Sequence, residues 1–247
     1  LLSAQEQIDG LDLAYARFAL PKGMSLKDAE AKLRALLPQA EIDADNIYFT
    51  SGSHPAPAMP AAMMAPTTVS GASLGLIDGG VAEHPSVAGR VEQKGFAIGA
   101  PKPSSHGTSV AALMIGSGSV SGGAPGGKLL AADVYGSDKA GGNASAIARA
   151  LGWLATRNIS VVAMSLVGPD NALLRKAVAN AQGKGMVIVA AVGNDGPAAP
   201  LSYPASYPGV LAVTGVDARN KVLPEAGRAA SVAFAAPGAG MSSATGA

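Results

Sequence analysis

Two different patterns of apolar and polar positions meet near residue 70 of the chain. From residue 71 onward, short continuous apolar runs alternate with stretches of helical periodicity. Apolar runs of about 4–8 residues are typical of strands that are buried on both faces of a sheet. Strands that alternate with helices predict an α/β fold, here a doubly wound, mostly parallel sheet with helices on both faces.

Residues 1–50 carry a smaller and looser pattern. Residues 13–20 alternate and predict a strand. Ser25, with an acidic residue three positions later, is a helix N-cap candidate, and leucines and alanines at helical spacing follow it until Pro38. Residues 41–50 predict a second strand. We therefore predict a β-α-β segment ahead of the main domain.

Residues 51–70 separate these two patterns. They are rich in proline, alanine and methionine, a composition that does not favour a regular element and predicts an exposed linker. The predicted organisation is therefore a β-α-β segment over 1–50, a linker over 51–70 and a main domain over 71–247.

The composition excludes several functions. Apolar residues make up 48% of the chain and charged residues 14%, so a large core is easily built. The net charge of +1 gives no reason to expect nucleic acid or an anionic membrane as a partner, and we find no apolar run long enough to span a bilayer. There is no cysteine, and the three histidines are too scattered for a zinc site.

Three polar residues lie at the ends of predicted strands or at the start of a predicted helix, and they are candidate catalytic residues. Asp78 ends the first apolar strand of the main domain, at the sheet edge where open α/β folds place ligands. His106 precedes Gly-Thr at the start of a helix, where the backbone N–H groups disfavour imidazolium and favour the neutral ring that a general base needs. Asn194 follows the apolar strand over 186–192. The first strand lacks the G-x-G-x-x-G spacing of a dinucleotide loop.

Asp, His and Asn in this order and spacing resemble the subtilisin-like serine proteases, from about residue 70 to the end of the chain. The resemblance implies a serine endopeptidase in which Asp78 orients the imidazole, His106 activates a serine hydroxyl and Asn194 donates to the oxyanion. It also implies a peptide or protein substrate and a secreted or periplasmic location. The β-α-β segment over 1–50 resembles part of the small pro-domain that precedes the catalytic domain in many subtilases. Cofactors are not required. Many subtilases bind calcium, but we find no acidic loop with calcium-ligand spacing, so no metal site is predicted.

The resemblance further implies a substrate cleft. The tail Ser-Leu-Val over 165–167 is an edge that pairs with the substrate backbone. The small residues over 190–193 form the floor of the pocket for the P1 side chain and leave room for a large apolar group. Val167 stands where the family commonly has glycine, and its branched side chain narrows or reshapes the pocket. The predicted substrate-binding residues are Tyr135, Gly136, Ser165, Leu166, Val167, Ala190, Ala191 and Gly193.

The nucleophile of the family lies in a Gly-Thr-Ser-x-Ala segment that opens a long buried helix, and the residues after Pro237 contain no such segment. Too few residues follow Ser242 and Ser243 to form that helix. A domain without that helix would expose the apolar surface it covers, at a cost of about 25 cal/mol for each Å². We therefore expect the serine beyond Ala247, in a C-terminal segment or a second chain that completes the domain.

Two other functions compete with the protease. An inactive subtilase fold that serves as a peptide-binding or inhibitory module would keep the scaffold of Asp78 and His106 without the chemistry. An esterase of the α/β-hydrolase type needs G-x-S-x-G, with serine ahead of aspartate and histidine. The letters G-x-S-x-G occur at residues 71–75, but Ser73 opens the first apolar strand of the main domain and does not lie on the strand-to-helix turn that this class requires, so the esterase is not favoured.

Overall fold

The computed structural model describes residues 2–52, 71–138, 141–241 and 243–244. Its helices are α1 (Leu26–Leu36), α2 (Ser105–Ile115), α3 (Ala144–Thr156) and α4 (Ala172–Gly183). Its strands are β1 (Leu2–Ile8), β2 (Leu13–Phe18), β3 (Phe49–Thr50), β4 (Ser73–Asp78), β5 (Val91–Gly95), β6 (Lys128–Asp133), β7 (Val161–Met164), β8 (Leu166–Val167), β9 (Val187–Ala191), β10 (Leu211–Val216) and β11 (Phe234–Pro237).

The main sheet has seven strands within the described ranges, in the order β11-β10-β9-β7-β4-β6-β5. Each neighbouring pair is parallel. Helices α3 and α4 pack on one face, where Ile77 joins the larger core, and α2 packs on the other, where Leu76 joins a smaller one. Successive residues of a strand point to opposite faces, so one apolar run fills both cores. The predicted parallel α/β sheet with helices on both faces is confirmed.

The parallel arrangement brings the polar ends of several strands to one edge of the sheet. Strand β4 ends at Asp78, β6 ends at Asp133, and β9 ends three residues before Asn194. The carboxyl ends of parallel strands share an edge, so these side chains converge, although up to about 115 residues of sequence separate them. The candidate site lies at this edge.

The N-terminal residues form a hairpin that lies against α3 and α4. Strands β1 and β2 are antiparallel, and Asn180 of α4 donates its amide to the Leu11 carbonyl at 2.7 Å. Strand β1 was not expected, because residues 1–10 carry no strong pattern in the sequence. The predicted helix is confirmed as α1, and the Ser25 hydroxyl caps it by accepting from the Asp28 N–H at 3.1 Å.

The strand predicted over 41–50 is wrong for most of its length, since only Phe49 and Thr50 are in a strand. Residues 43–46 instead cap two helices. An Asp45 carboxylate oxygen accepts from the Ser145 N–H at 3.0 Å, at the start of α3. Asp43 accepts from the Ala172 N–H at 2.9 Å, at the start of α4. A carboxylate is favourable at a helix N-terminus because it pairs with free N–H groups and with the helix dipole.

Most of the predicted linker, including His54, lies outside the described residues. Its first two residues, Ser51 and Gly52, are described and continue directly from β3. Within the described part of the chain, no helix combines the length and the apolar character that crossing a membrane requires.

Candidate active site

Asp78 and His106 form a carboxylate–imidazole pair. The His106 Nδ1 atom lies 2.9 Å from Asp78 Oδ1 and 2.8 Å from Oδ2. The carboxylate is fully buried, and its Oδ1 also accepts the Gly79 N–H at 2.6 Å. These contacts fix the orientation of the ring and leave its Nε2 atom facing the groove.

The His-Gly-Thr sequence lets α2 approach the end of β4 closely. A Cβ atom on Gly107 would lie 2.3 Å from the Gly79 carbonyl oxygen, so only glycine fits there without a backbone shift. Ser104 caps the helix by accepting the Gly107 N–H at 2.9 Å. Thr108 then accepts the Ala82 N–H at 2.9 Å, which ties the helix to the loop after β4. The local sequence therefore positions the imidazole against Asp78.

Both ring nitrogens of His106 contact oxygen atoms. Burial works against a charged ring, but the hydrogen bond and charge of Asp78, together with the Ser51 carbonyl, outweigh it and raise the pKa of His106. Burial raises the pKa of Asp78, and its hydrogen bond to His106 offsets part of that rise. The sequence predicted a neutral ring from the helix N-terminus. The structure adds an oxygen acceptor at each ring nitrogen, and these two acceptors favour N–H donors on the ring more than the helix N-terminus alone would.

Replacing Asp78 with asparagine is expected to lower the pKa of His106, because burial would then oppose the charged ring without a carboxylate beside it. NMR titration of the histidine Cε1–H signals measures this. His84, whose Nδ1 contacts Ser86 Oγ at 2.8 Å, is the internal control. An unchanged His106 titration in Asp78→Asn would contradict the pairing.

The raised pKa of His106 sets the pH dependence of its contribution to the free energy of unfolding. The contribution of the charged His106 is fully present below about pH 6.5, the ordinary histidine value, and is lost as the pH rises through the folded-state value.

A short strand of the chain itself occupies the groove. Strand β3 pairs antiparallel with β8, with Phe49 opposite Val167 and Thr50 opposite Leu166. The Ser51 N–H extends this pairing by donating to the Ser165 carbonyl at 3.0 Å. The Ser51 carbonyl then lies 2.7 Å from His106 Nε2. The predicted edge over 165–167 therefore pairs with a peptide backbone in this structure.

Asn194 lies on the other side of the same peptide. With its side-chain amide oriented so that both ends are paired, Nδ2 donates to the Gly193 carbonyl at 2.9 Å and Oδ1 accepts the Gly52 N–H at 3.3 Å. Gly52 also approaches the ring, since a Cβ on it would lie 3.4 Å from His106 Nε2. The structure thus brings Asp78, His106 and Asn194 together around the Ser51–Gly52 peptide bond.

Tyr48 anchors the strand in the groove. It is fully buried, and its hydroxyl donates to the Pro169 carbonyl at 2.7 Å. Its N–H donates to the Gly142 carbonyl at 2.8 Å. A Cβ on Gly168 would lie 2.5 Å from the Tyr48 ring, so the absence of a side chain there makes space for the aromatic group. Burial raises the pKa of Tyr48, which keeps its hydroxyl protonated as a donor.

The remaining predicted substrate residues occupy different places. Tyr135 lies beside the anchor, because a Cβ on Gly142 would meet its ring at 2.4 Å. Gly136 packs on the backbone over 98–100. Ala190 is 2% exposed and belongs to the larger core, whereas Ala191 is partly exposed. The binding roles of these four residues stay predictions.

Sequence reasoning missed Asp133, a buried carboxylate at the end of β6. It accepts the Lys102 N–H at 2.7 Å and the N–H groups of Tyr135 and Gly136 at 2.9 Å each. Asp133 therefore joins the loop before α2 to the turn after β6. The available signal was an aspartate that ends an apolar strand, the same signal that identified Asp78.

Gly107, Thr108 and Ser109 repeat the letters of the nucleophile segment, but they lie on the helix of His106. The Ser109 hydroxyl is 2.9 Å from the hydroxyl of Ser243. Ser242 lies outside the described residues. Across the described ranges, no group of three or more His, Cys, Asp or Glu side chains is arranged to hold a metal ion.

Comparison with known proteins shows the family. The sequence model of the Subtilase family, peptidase S8, matches residues 69–246. The chain is 35% identical to Subtilisin BL of Lederbergia lenta over 191 residues, which cover 74% of this chain and 70% of that protein. It is 30% identical to the minor extracellular protease Epr of Bacillus subtilis (strain 168) over 177 residues, 69% of this chain and 27% of Epr.

A solved structure agrees with these matches. The prenylagaramide maturation protease PagA superposes with a TM-score of 0.56 at 26% identity, and the superposition covers 64% of this chain and 58% of PagA. The chain belongs to the subtilase family. It spans only part of each of these relatives.

Proposed function

We propose that the protein is a serine endopeptidase that hydrolyses peptide bonds through an acyl-enzyme. One observation carries the proposal: a peptide strand paired with β8 presents the Ser51 carbonyl to His106 Nε2 at 2.7 Å. This ring is paired on its far side with a buried carboxylate. An imidazole held by a buried carboxylate beside a bound peptide backbone is the arrangement of an acyl-transfer site, and Nε2 must release the Ser51 carbonyl before it can accept a serine proton.

The proposed roles follow from the chemistry of each group. His106 Nε2 takes the proton of a serine hydroxyl as the serine oxygen attacks the carbonyl carbon, and returns it to the leaving amine. Asp78 holds the Nδ1–H and stabilises the imidazolium that forms. Asn194 turns its amide N–H toward the oxyanion of the tetrahedral intermediate. Water then cleaves the acyl-enzyme, with His106 again acting as the base.

The nucleophile is proposed to follow residue 247, at the start of a helix that packs on the sheet. Support comes from the sheet face that carries α2. Helix α2 covers β4 and β6, but Val161 of β7 is 37% exposed and Val187 of β9 is 42% exposed. Residues that alternate with them point to the larger core and are buried. A C-terminal segment or a second chain would cover these apolar side chains.

The remaining proposals rest on the family. Its members act on peptides or proteins, and we propose such a substrate, with no cofactor required for the chemistry. A secreted location is proposed from the likeness to Epr, whose name describes it as extracellular. A location in the periplasm rests on the same resemblance.

The segment over 47–52 is proposed to be a substrate in cis. Purified full-length protein is expected to be cut between Ser51 and Gly52, because that bond lies between His106 and Asn194. N-terminal sequencing and intact mass would detect a product that begins at Gly52. The His106→Ala protein is the control and should stay uncut. A cut at another bond, or the same cut in the control, would contradict the assignment.

A further inference from the structure

The residue that meets His106 has a defined place next to β8. In the antiparallel pair, Phe49 lies opposite Val167. The bond from the Ser51 N–H to the Ser165 carbonyl continues the same register two residues later. Side chains alternate along a strand, and opposite residues share a face. Ser51 therefore shares a face with Ser165, and Val167 is its diagonal neighbour.

Val167 fills the space on that face. Its side chain is only 8% exposed. A Cβ on Gly193 would lie 3.0 Å from Val167 Cγ1 and 3.4 Å from Cγ2. The isopropyl group is thus in contact with the turn that carries Asn194. The two walls that border Ser51, namely β8 and the turn before Asn194, meet at this valine.

This contact limits the size of the side chain that the pocket can hold. Small residues over 190–193 predict room for a large apolar side chain, but that room exists only if the facing position on β8 is also small. Here a branched side chain occupies it and touches Gly193. The residue whose carbonyl meets His106 is small, Ser51, whereas Phe49, directly opposite Val167, is 68% exposed.

We propose that Val167 restricts the residue whose carbonyl meets His106 to small side chains such as serine or alanine. The inference deepens the proposed function, because that residue is the one after which the peptide would be cut. The limit is steric, so it acts on docking of the peptide and does not depend on bond cleavage.

Variants at position 51 test the proposal in full-length protein. Ser51→Phe is expected to lose protection from hydrogen exchange at the Tyr48 and Ser51 amides by about 10- to 100-fold, because a packed site tolerates extra volume poorly. Ser51→Ala should keep the protection. These two amides report docking directly, since they donate to the Gly142 and Ser165 carbonyls. They do so whether or not the Ser51–Gly52 bond has been cut.

Second-site variants test the cause. Adding Val167→Gly to Ser51→Phe is expected to restore the protection, whereas Val167→Thr, which has nearly the same shape, should not. If the glycine variant loosens β8 in the Ser51 protein, Val167→Ala with Ser51→Leu replaces the pair. Full protection in Ser51→Phe, no rescue by glycine, or equal rescue by threonine would each overturn the proposal.

Hydrolysis extends the test and separates it from the proposed function. Peptides with the sequence of residues 48–52 and serine, alanine, leucine or phenylalanine at position 51 are compared as substrates. Serine and alanine should exceed phenylalanine by about 10- to 100-fold in kcat/KM, and Val167→Gly should reduce that ratio. No hydrolysis of any peptide would contradict the endopeptidase proposal alone, because hydrogen exchange would still decide the role of Val167.

Discussion

Replacing His106 with alanine is expected to lower kcat by about 10⁶-fold, the cost measured for the catalytic histidine of subtilisin. The effect is large because the ring links two groups. Its Nδ1 contacts the buried Asp78 at 2.8 Å, and its Nε2 contacts the peptide carbonyl at 2.7 Å. Without the ring, the proposed serine nucleophile would have no base. Steady-state hydrolysis of a peptide ester by the full-length protein measures the loss.

His84→Ala is the matched control for this prediction. His84 is also partly buried, but it begins the short helical turn over 85–87 and contacts Ser86. Its removal should change kcat by no more than a few-fold. A similar small change in His106→Ala, with the fold intact by circular dichroism, would contradict the role of His106 as the base.

Replacing Asn194 with alanine is expected to lower kcat by about 10²–10³-fold and to change KM little. This range is the cost of removing the corresponding donor in subtilisin, a relative of this protein. Its Oδ1 accepts the Gly52 N–H next to the Ser51–Gly52 bond, and its Nδ2 donates to the Gly193 carbonyl, so the amide must turn to present an N–H to the oxyanion when charge develops there. An interaction made mainly in the transition state affects kcat and kcat/KM equally.

Asn180→Ala is the control for that measurement. Asn180 lies on α4, and its amide donates to the Leu11 carbonyl of the N-terminal hairpin. The variant should leave kcat unchanged. If Asn194→Ala raised KM and left kcat unchanged, the amide would be a binding group for the substrate and its role as oxyanion donor would be wrong.

The sequence alone predicted the parts of the fold that depend on local pattern. Helix α1 (Leu26–Leu36) was predicted, because Ser25 is an N-cap candidate and apolar positions repeat at helical spacing until Pro38. The end of β4 at Asp78 was predicted because a continuous apolar run stops at that carboxylate. The common edge of the sheet follows from parallel pairing, so the convergence of the polar strand ends was also predictable.

The segment over 43–52 could not be predicted, because its partners are distant in sequence. Asp45 caps a helix 100 residues later, and Tyr48 donates to Pro169, 121 residues away. Nothing local in this segment favours a strand for only two residues. Its conformation is set by the groove that it enters, and that groove is formed by residues that are distant in sequence.

The direction of the His106 pKa shift also depends on partners that are distant in sequence. The helix N-terminus alone favours a neutral ring. The structure adds Asp78 on one nitrogen and the Ser51 carbonyl on the other, and these nearer contacts raise the pKa instead. Proximity decides the sign, since a hydrogen-bonded carboxylate outweighs partial charges spread over a helix turn.

Fluorophosphonate labelling of the full-length protein, followed by peptide mapping, tests the central claim most directly. The proposed mechanism predicts a single labelled serine located after residue 247, and loss of the label in His106→Ala. The reagent reacts only with a serine that a neighbouring base has activated. No label at any pH would contradict the protease assignment and favour a subtilase fold that binds peptides without cutting them.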